Sequence, residues 1–313
     1  MQQKLLTPEQ IATQAQTAIP FLRLPQRSSV FADRAARLRS LSPNHPMAGY
    51  LDFCALLAEG QQLLLGEKFP DLFTLSSMSA PRSGHGTAPL DFRSHERGER
   101  WRRGLRRLLH WLAERTSGRQ LEVANALERQ TEQFYETQAN KLLAGNRLGL
   151  DVASAPIIGA ALQVYFTHLV IELGEQAFGR IENATLCPCC GSRPTASVIR
   201  IGGADGGYRF LHCALCSAQW HMVRIKCSNC ESTHGISYQY LDDGLSDQKH
   251  AVAVEVCDDC RTYLKICYMD RDPLIEPVAD DLASLPLDLM IAETGKFSSG
   301  VNLLLIHGDA ESI

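Results

Sequence analysis

Four Cys-x-x-Cys pairs, Cys187/Cys190, Cys213/Cys216, Cys227/Cys230 and Cys257/Cys260, constrain this chain more than any other feature of it. Two cysteines with two residues between them sit on one tight turn with both sulfurs aimed at a common centre, and two such turns complete a tetrahedral metal site. Eight sulfurs therefore make two sites. The pairs are separated by 22, 10 and 26 residues. Cys187-x-x-Cys190-Gly191-Ser192 and Cys227-x-x-Cys230-Glu231-Ser232 read as an internal repeat, each opening a unit that runs through a hairpin to a second knuckle. The repeat favours sequential pairing, in modules 187–216 and 227–260. Spacing alone leaves open a cross-braced arrangement, first knuckle with third and second with fourth.

Closed four-cysteine sites act most often as staples for hairpins too small to hold a core of their own. They offer no vacant position for an activated water, and a dithiol locked on a metal does not exchange disulfides, so an enzyme is not expected. Four thiolates suit iron and zinc alike. Iron in such a site would resemble rubredoxin and carry one electron; zinc would not. Gly191 follows the first knuckle, where a strict rubredoxin pattern wants glycine, but Ser217, Glu231 and Arg261 hold the equivalent places in the others. His212, His221 and His234 lie near knuckles, yet eight cysteines already saturate two sites, so packing or supporting roles are expected for them. Cys189 and Cys267 read as bystanders and Cys54 as an inert core thiol.

At 313 residues the chain is long enough for about two domains. Residues 1–183 predict an all-helical domain. Trp101, Leu105, Leu108, Leu109 and Leu112 form one apolar stripe, and further helices are expected over Pro8 to Ala18, Val30 to Leu41, Met47 to Leu65, Leu121 to Leu143 and Pro156 to Phe178. Ser76 to Gly98, rich in Ser, Gly, Pro and Arg, predicts a mobile loop. Residues 184–270 alternate in short runs, such as Ile236, Tyr238 and Tyr240, which read as hairpins carrying the cysteines. Residues 271–313 predict a short helix near Asp280 to Glu293 and a tail. The fold class is α+β: helices followed by tandem rubredoxin-like or zinc-ribbon modules.

Eleven cysteines in a chain of this size, without a signal-peptide pattern at Met1, fit a reducing, cytoplasmic setting. The apolar stretch from Ala155 to Leu173 is broken by Gln163, Thr167, His168 and Glu172 and reads as a core helix, not a membrane insertion. Seven arginines between Arg93 and Arg107 read as a solvated helix face. Residues 270–293 carry Asp270, Asp272, Glu276, Asp280, Asp281, Asp288 and Glu293 against Arg271 alone, an acidic strip suited to a basic partner. Ile181 to Asp270 has eight Lys/Arg against ten Asp/Glu, a net of -2, which argues against a nucleic-acid-binding zinc ribbon.

Several runs are specific enough to place the chain. They are Arg200-Ile201-Gly202-Gly203, Leu211-His212-Cys213-x-x-Cys216, Trp220-His221, Arg224-x-Lys226-Cys227-Ser228-Asn229-Cys230, Tyr263-Leu264-Lys265, Glu276-Pro277-Val278-Ala279-Asp280-Asp281-Leu282 and Phe31-Ala32-Asp33-Arg34-Ala35. With these runs the chain closely resembles the formate dehydrogenase accessory protein family (FdhE) over most of its length. The resemblance implies a cytoplasmic maturation factor, not itself a formate dehydrogenase, that contacts the catalytic subunit of respiratory formate dehydrogenase before export. It also implies rubredoxin-like iron sites on Cys187, Cys190, Cys213, Cys216, Cys227, Cys230, Cys257 and Cys260, with the knuckles meeting the client. The alternatives are a redox protein passing electrons to that client and, less favoured, a zinc-ribbon nucleic-acid binder.

Overall fold

The computed structural model describes residues 19–66, 86–202, 206–241 and 250–305. The helix expected over Pro8 to Ala18 lies outside them, as do the first part of the Ser76 to Gly98 loop and the end of the tail. The helical part comprises α1 (Val30–Leu41), α2 (Ala48–Leu65), α3 (Gly98–Ala113), α4 (Gly118–Glu128), α5 (Glu132–Leu143) and α6 (Ala155–Leu173). A two-residue strand, β1 (Leu22–Arg23), precedes them. β2 (Pro194–Ile199), β3 (Arg209–Cys213), β4 (Gln219–His221), β5 (Ile236–Gln239), β6 (Val252–Cys257) and β7 (Thr262–Tyr268) follow, then α7 (Pro277–Ala283), α8 (Leu285–Ala292) and β8 (Phe297–Ser298).

α6 carries apolar residues around its whole circumference, with Gln163, Thr167 and His168 set among them, and a helix without a continuous polar face must be enclosed. Sixteen successive residues from Ala155 to Val170 are buried. It is the one helix among the described residues long and apolar enough to cross a bilayer, and here the rest of the chain surrounds it. Gly174, at φ 72°, ends it in the left-handed region that glycine enters without strain. α3 packs the Trp101, Leu105, Leu108, Leu109 and Leu112 stripe inward. Its arginines are answered locally: Arg97 and Arg102 meet Glu136, Arg103 meets Glu99, and Arg106 meets Glu132. The helix expected over Leu121 to Leu143 is instead α4 and α5. Thr131 adopts an extended conformation and its hydroxyl accepts from the Phe134 N–H, capping a fresh helix start.

The two cysteine modules are not separate beads. Their strands form one sheet in the order β1-β4-β3-β2-β7-β6-β5, with β8 pairing β7. Within each module the pairing is antiparallel; the modules join where β2 runs parallel to β7, with Ser197, Val198 and Ile199 opposite Ile266, Cys267 and Tyr268. β1, from the helical part, adds the outer strand beside β4.

The acidic strip expected to hold a basic partner is largely paired already. Instead of waiting for a partner, most of it is consumed inside the chain. Arg37 donates two hydrogen bonds to Asp280, at 2.9 and 2.6 Å, and meets Asp272 at 2.6 Å. Lys265, only 2% exposed, lies 3.2 Å from Asp281 and 2.6 Å from Asp288. Glu276 is held by Arg34. The expected single helix near Asp280 to Glu293 divides into α7 and α8 at Ser284, whose hydroxyl bonds back to the Asp280 carbonyl at 2.6 Å.

Candidate metal centres

The eight knuckle sulfurs gather into two groups of four. Cys187, Cys190, Cys213 and Cys216 form one cluster, and Cys227, Cys230, Cys257 and Cys260 the other, with all sulfurs of a cluster within 4.8 Å of one another. In each, the first cysteine of one knuckle faces the second of its mate: Cys187 to Cys216 is 3.6 Å, Cys190 to Cys213 is 3.4 Å, Cys227 to Cys260 is 3.7 Å and Cys230 to Cys257 is 3.8 Å. A metal–sulfur bond of about 2.3 Å at the centre of a tetrahedron sets sulfur–sulfur edges of about 3.8 Å. The clusters have those edges, far longer than a disulfide, so the donor set fits one four-coordinate ion in each. Nothing in the geometry separates iron from zinc.

Every knuckle uses the same backbone. The residue after its second cysteine lies in the left-handed region: Gly191 at φ 69°, Ser217 at 58°, Glu231 at 63° and Arg261 at 58°. A side chain there costs roughly 1–2 kcal/mol, yet three of the four positions carry one. The turn, not the presence of glycine, is what the site requires. The Gly191 N–H donates to the Cys187 carbonyl at 2.8 Å and the Glu231 N–H to the Cys227 carbonyl at 3.1 Å, closing the equivalent turns. Backbone N–H groups of Leu215 and Cys216 reach Cys213 Sγ, and that of Asn229 reaches Cys227 Sγ, each at 3.4 Å. At Cys260, burial pushes the thiol up, but bonds from Thr262, Asn229 and Cys230 outweigh it and bring the pKa down to about 6. In the same cluster burial pushes the Cys227 thiol up to about 12 and raises Cys257, so the lowered value belongs to Cys260 and not to the set.

The first cluster sits inside the main core, its four cysteines at 0% exposure in the same buried cluster as the apolar residues of α6. The described part of the supposed mobile loop is pinned against it: the Leu90 N–H donates to the Cys189 carbonyl at 2.9 Å and the Phe92 N–H to the Cys190 carbonyl at 3.0 Å. A buried polar chain holds the second knuckle from the other side. Arg34 donates to Glu276 at 3.1 Å, to Gln163 at 3.3 Å and to Ser217 Oγ at 3.4 Å, and Gln163 in turn donates to the Ala214 carbonyl at 2.8 Å. Sequence reasoning missed this set. Its signal was there: Arg34 falls on the Phe31, Ala35, Leu38 stripe, an obligate cation on the buried face of a helix.

The second cluster lies at the far side of the sheet. Cys227 and Cys257 are buried, Cys260 is half-buried and Cys230 is exposed. Arg209, on β3 of the first module, reaches Glu255 on β6 of the second at 2.7 Å and also donates to the Lys226 carbonyl at 2.9 Å, tying the approach to the third knuckle down.

None of the three neighbouring histidines joins a cluster. His212 is buried, and burial with the nearby Arg34 charge takes its pKa down to about 3. His221 packs edge-on against Tyr208 and Phe210. Cys54 is a core thiol pushed up to about 12 by burial, and Cys267 is likewise buried. Cys189 lies against the first cluster without being one of its four.

Residues 19–182 match the family model "FdhE, N-terminal", 186–224 "FdhE, central domain" and 225–305 "FdhE, C-terminal domain", so each of the latter two carries one cluster. Protein FdhE of Escherichia coli (strain K12) is 39% identical over 294 residues, covering 94% of this chain and 93% of the relative. A Protein FdhE homolog from Klebsiella pneumoniae is 38% identical over 295 residues, covering 94% of each. The crystal structure of the FdhE protein from Pseudomonas aeruginosa aligns with a TM-score of 0.84 at 38% identity, covering 92% of this chain and 100% of that one. The chain belongs to the formate dehydrogenase accessory protein family, FdhE.

Proposed function

We propose that the chain is a cytoplasmic, non-catalytic maturation factor that binds the catalytic subunit of formate dehydrogenase through its cysteine-knuckle region. In this reading the eight knuckle cysteines hold two mononuclear metal ions, iron first and zinc as the alternative. The observation that carries it is the pair of four-sulfur clusters on one continuous sheet in a chain of this family. Closed tetrathiolate sites shape a surface and leave no ligand position for hydrolysis. With the acidic strip folded into the chain, the docking face falls to the outer module, where Cys230 is exposed. The same exposure favours the second reading, a rubredoxin-like centre passing electrons to the client. Closed thiolate coordination alone does not require that step.

The test is metal content and absorption of protein purified without added metal, alongside co-purification with a tagged catalytic subunit. Two irons per chain with thiolate-to-iron bands, and capture of the subunit by the native chain but not by Cys230→Ser, are expected. Two zincs would leave a binding role and remove the redox one. Failure of the native chain to capture the subunit would overturn the proposal.

A further inference from the structure

A cavity of about 510 Å³ opens between α1, the β2–β4 face and the 273–277 segment, beside the first cluster and outside it. Arg23, Arg200, His212, Ser217 and Gln219 line it. Its size is that of a small-molecule pocket. Val30, Val198 and Ile275 give it an apolar share; of its charged residues Arg37 is paired with Asp280 and Asp272 and Glu276 with Arg34, and the others are Arg23, Arg200 and Asp33.

Its hydrogen bonds have a direction. Arg200 Nη1 donates to Gln219 Oε1 at 3.0 Å, and a guanidinium has no acceptor, so this bond fixes which end of the Gln219 amide is oxygen. The Gln219 nitrogen therefore donates to His212 Nδ1, 3.2 Å away. With Nδ1 an acceptor, the network assigns the imidazole proton to Nε2. That Nε2–H is buried and has no hydrogen-bond partner among the described residues, although His212 is only 4% exposed and borders the cavity. A buried donor of this kind calls for an acceptor, since leaving it unmatched is costly. Arg23 lies directly opposite Gln219 in the β1–β4 pairing, which brings a second guanidinium to the same wall.

We propose that this cavity binds an oxyanion, a carboxylate or phosphate head on an apolar body, with one oxygen accepting the His212 Nε2–H and the charge met by Arg23 and Arg200. The arginines already sense each other: burial first, and then the Arg23 charge, hold the Arg200 guanidinium below its usual range. An anion between them relieves that repulsion and uses the forked donors that suit carboxylate and phosphate oxygens. The Ser217 hydroxyl adds a donor beside the second knuckle.

The test is calorimetric titration of the full chain with hexanoate, hexyl phosphate and hexylammonium, three probes sharing one apolar body. At least one anion binds, hexylammonium does not, and Arg200→Gln or Arg23→Gln weakens the anion by about tenfold or more. The preferred head separates a carboxylate source from a phosphate source. In ¹⁵N-labelled native protein the His212 Nε2–H resonance moves on adding the anion, which needs no variant to fold. Absence of binding by both anions, equal binding of the cation, unchanged affinity in both folded arginine variants, or a ring N–H that does not move each overturns the proposal.

Discussion

The two four-cysteine clusters share ligand type, knuckle backbone and sulfur spacing, yet the first has all four cysteines at 0% exposure and the second leaves Cys230 in solvent. The difference comes from what surrounds them. The first is walled by α6, by the Leu90–Phe92 segment and by the Arg34–Gln163 chain; the second is held by its own hairpins, by Arg193 and Arg209 reaching over from the first module, and by the small core of Val254, Val256, Tyr263, Leu287 and Ile291. One set of local instructions therefore yields a keystone in one place and an exposed module in another.

The largest expected effect is at the keystone. Cys213→Ser removes one donor of the buried cluster and two N–H···S bonds with it. We expect loss of the cooperative urea transition or a fall of roughly 3–5 kcal/mol in unfolding free energy, the scale of breaking a buried charged set. An unchanged urea midpoint would show that the first cluster does not hold the core together. Next, competition with a chromophoric chelator should release metal in two phases, one ion leaving at least about tenfold faster, since an exposed site needs no opening of the core. A single phase for both ions would mean that burial does not separate the two sites.

Cys230→Ser sharpens the comparison from the other side. Metal stoichiometry should fall from two to one, the fast phase should vanish, and the helical circular dichroism should persist with a modest loss of Tm. Collapse of the helical signal would mean that the second cluster also carries the fold. The smallest effect is at the knuckle turn itself. Arg261→Gly relieves a left-handed residue at φ 58° and should stabilise by about 1 kcal/mol, read as a higher thermal midpoint, partly offset by the lost 3.4 Å bond to the Gly295 carbonyl.

Much of the architecture was legible because it is local. The α3 stripe follows from apolar spacing, α6 from an unbroken apolar run, and the hairpins from alternation between turn residues. The misreadings have a common cause. Continuity of helical pattern from Leu121 to Leu143 hid the cap at Thr131, because a single hydroxyl bond to Phe134 decides the break. The acidic strip looked free because its counter-charges, Arg37 and Lys265, lie far away or on another element. The loop before α3 looked mobile because its anchors are backbone groups of Cys189 and Cys190, which no side-chain pattern announces. Arg34 was on view as a cation within an apolar stripe, but not its partners.

By itself the sequence determined the division into helices and hairpins, because side-chain periodicity is written residue by residue, and it determined that four thiol knuckles would be present at turn-forming spacing. Tertiary structure alone decided that β2 and β7 would join the two modules into one sheet, that the first cluster would be enclosed and the second left with Cys230 exposed, and that most of the acidic strip would turn inward. It also placed Arg23, Arg200 and His212 around one cavity. These outcomes depend on contacts between residues far apart in the chain, and burial and charge pairing are properties of such contacts rather than of any local run.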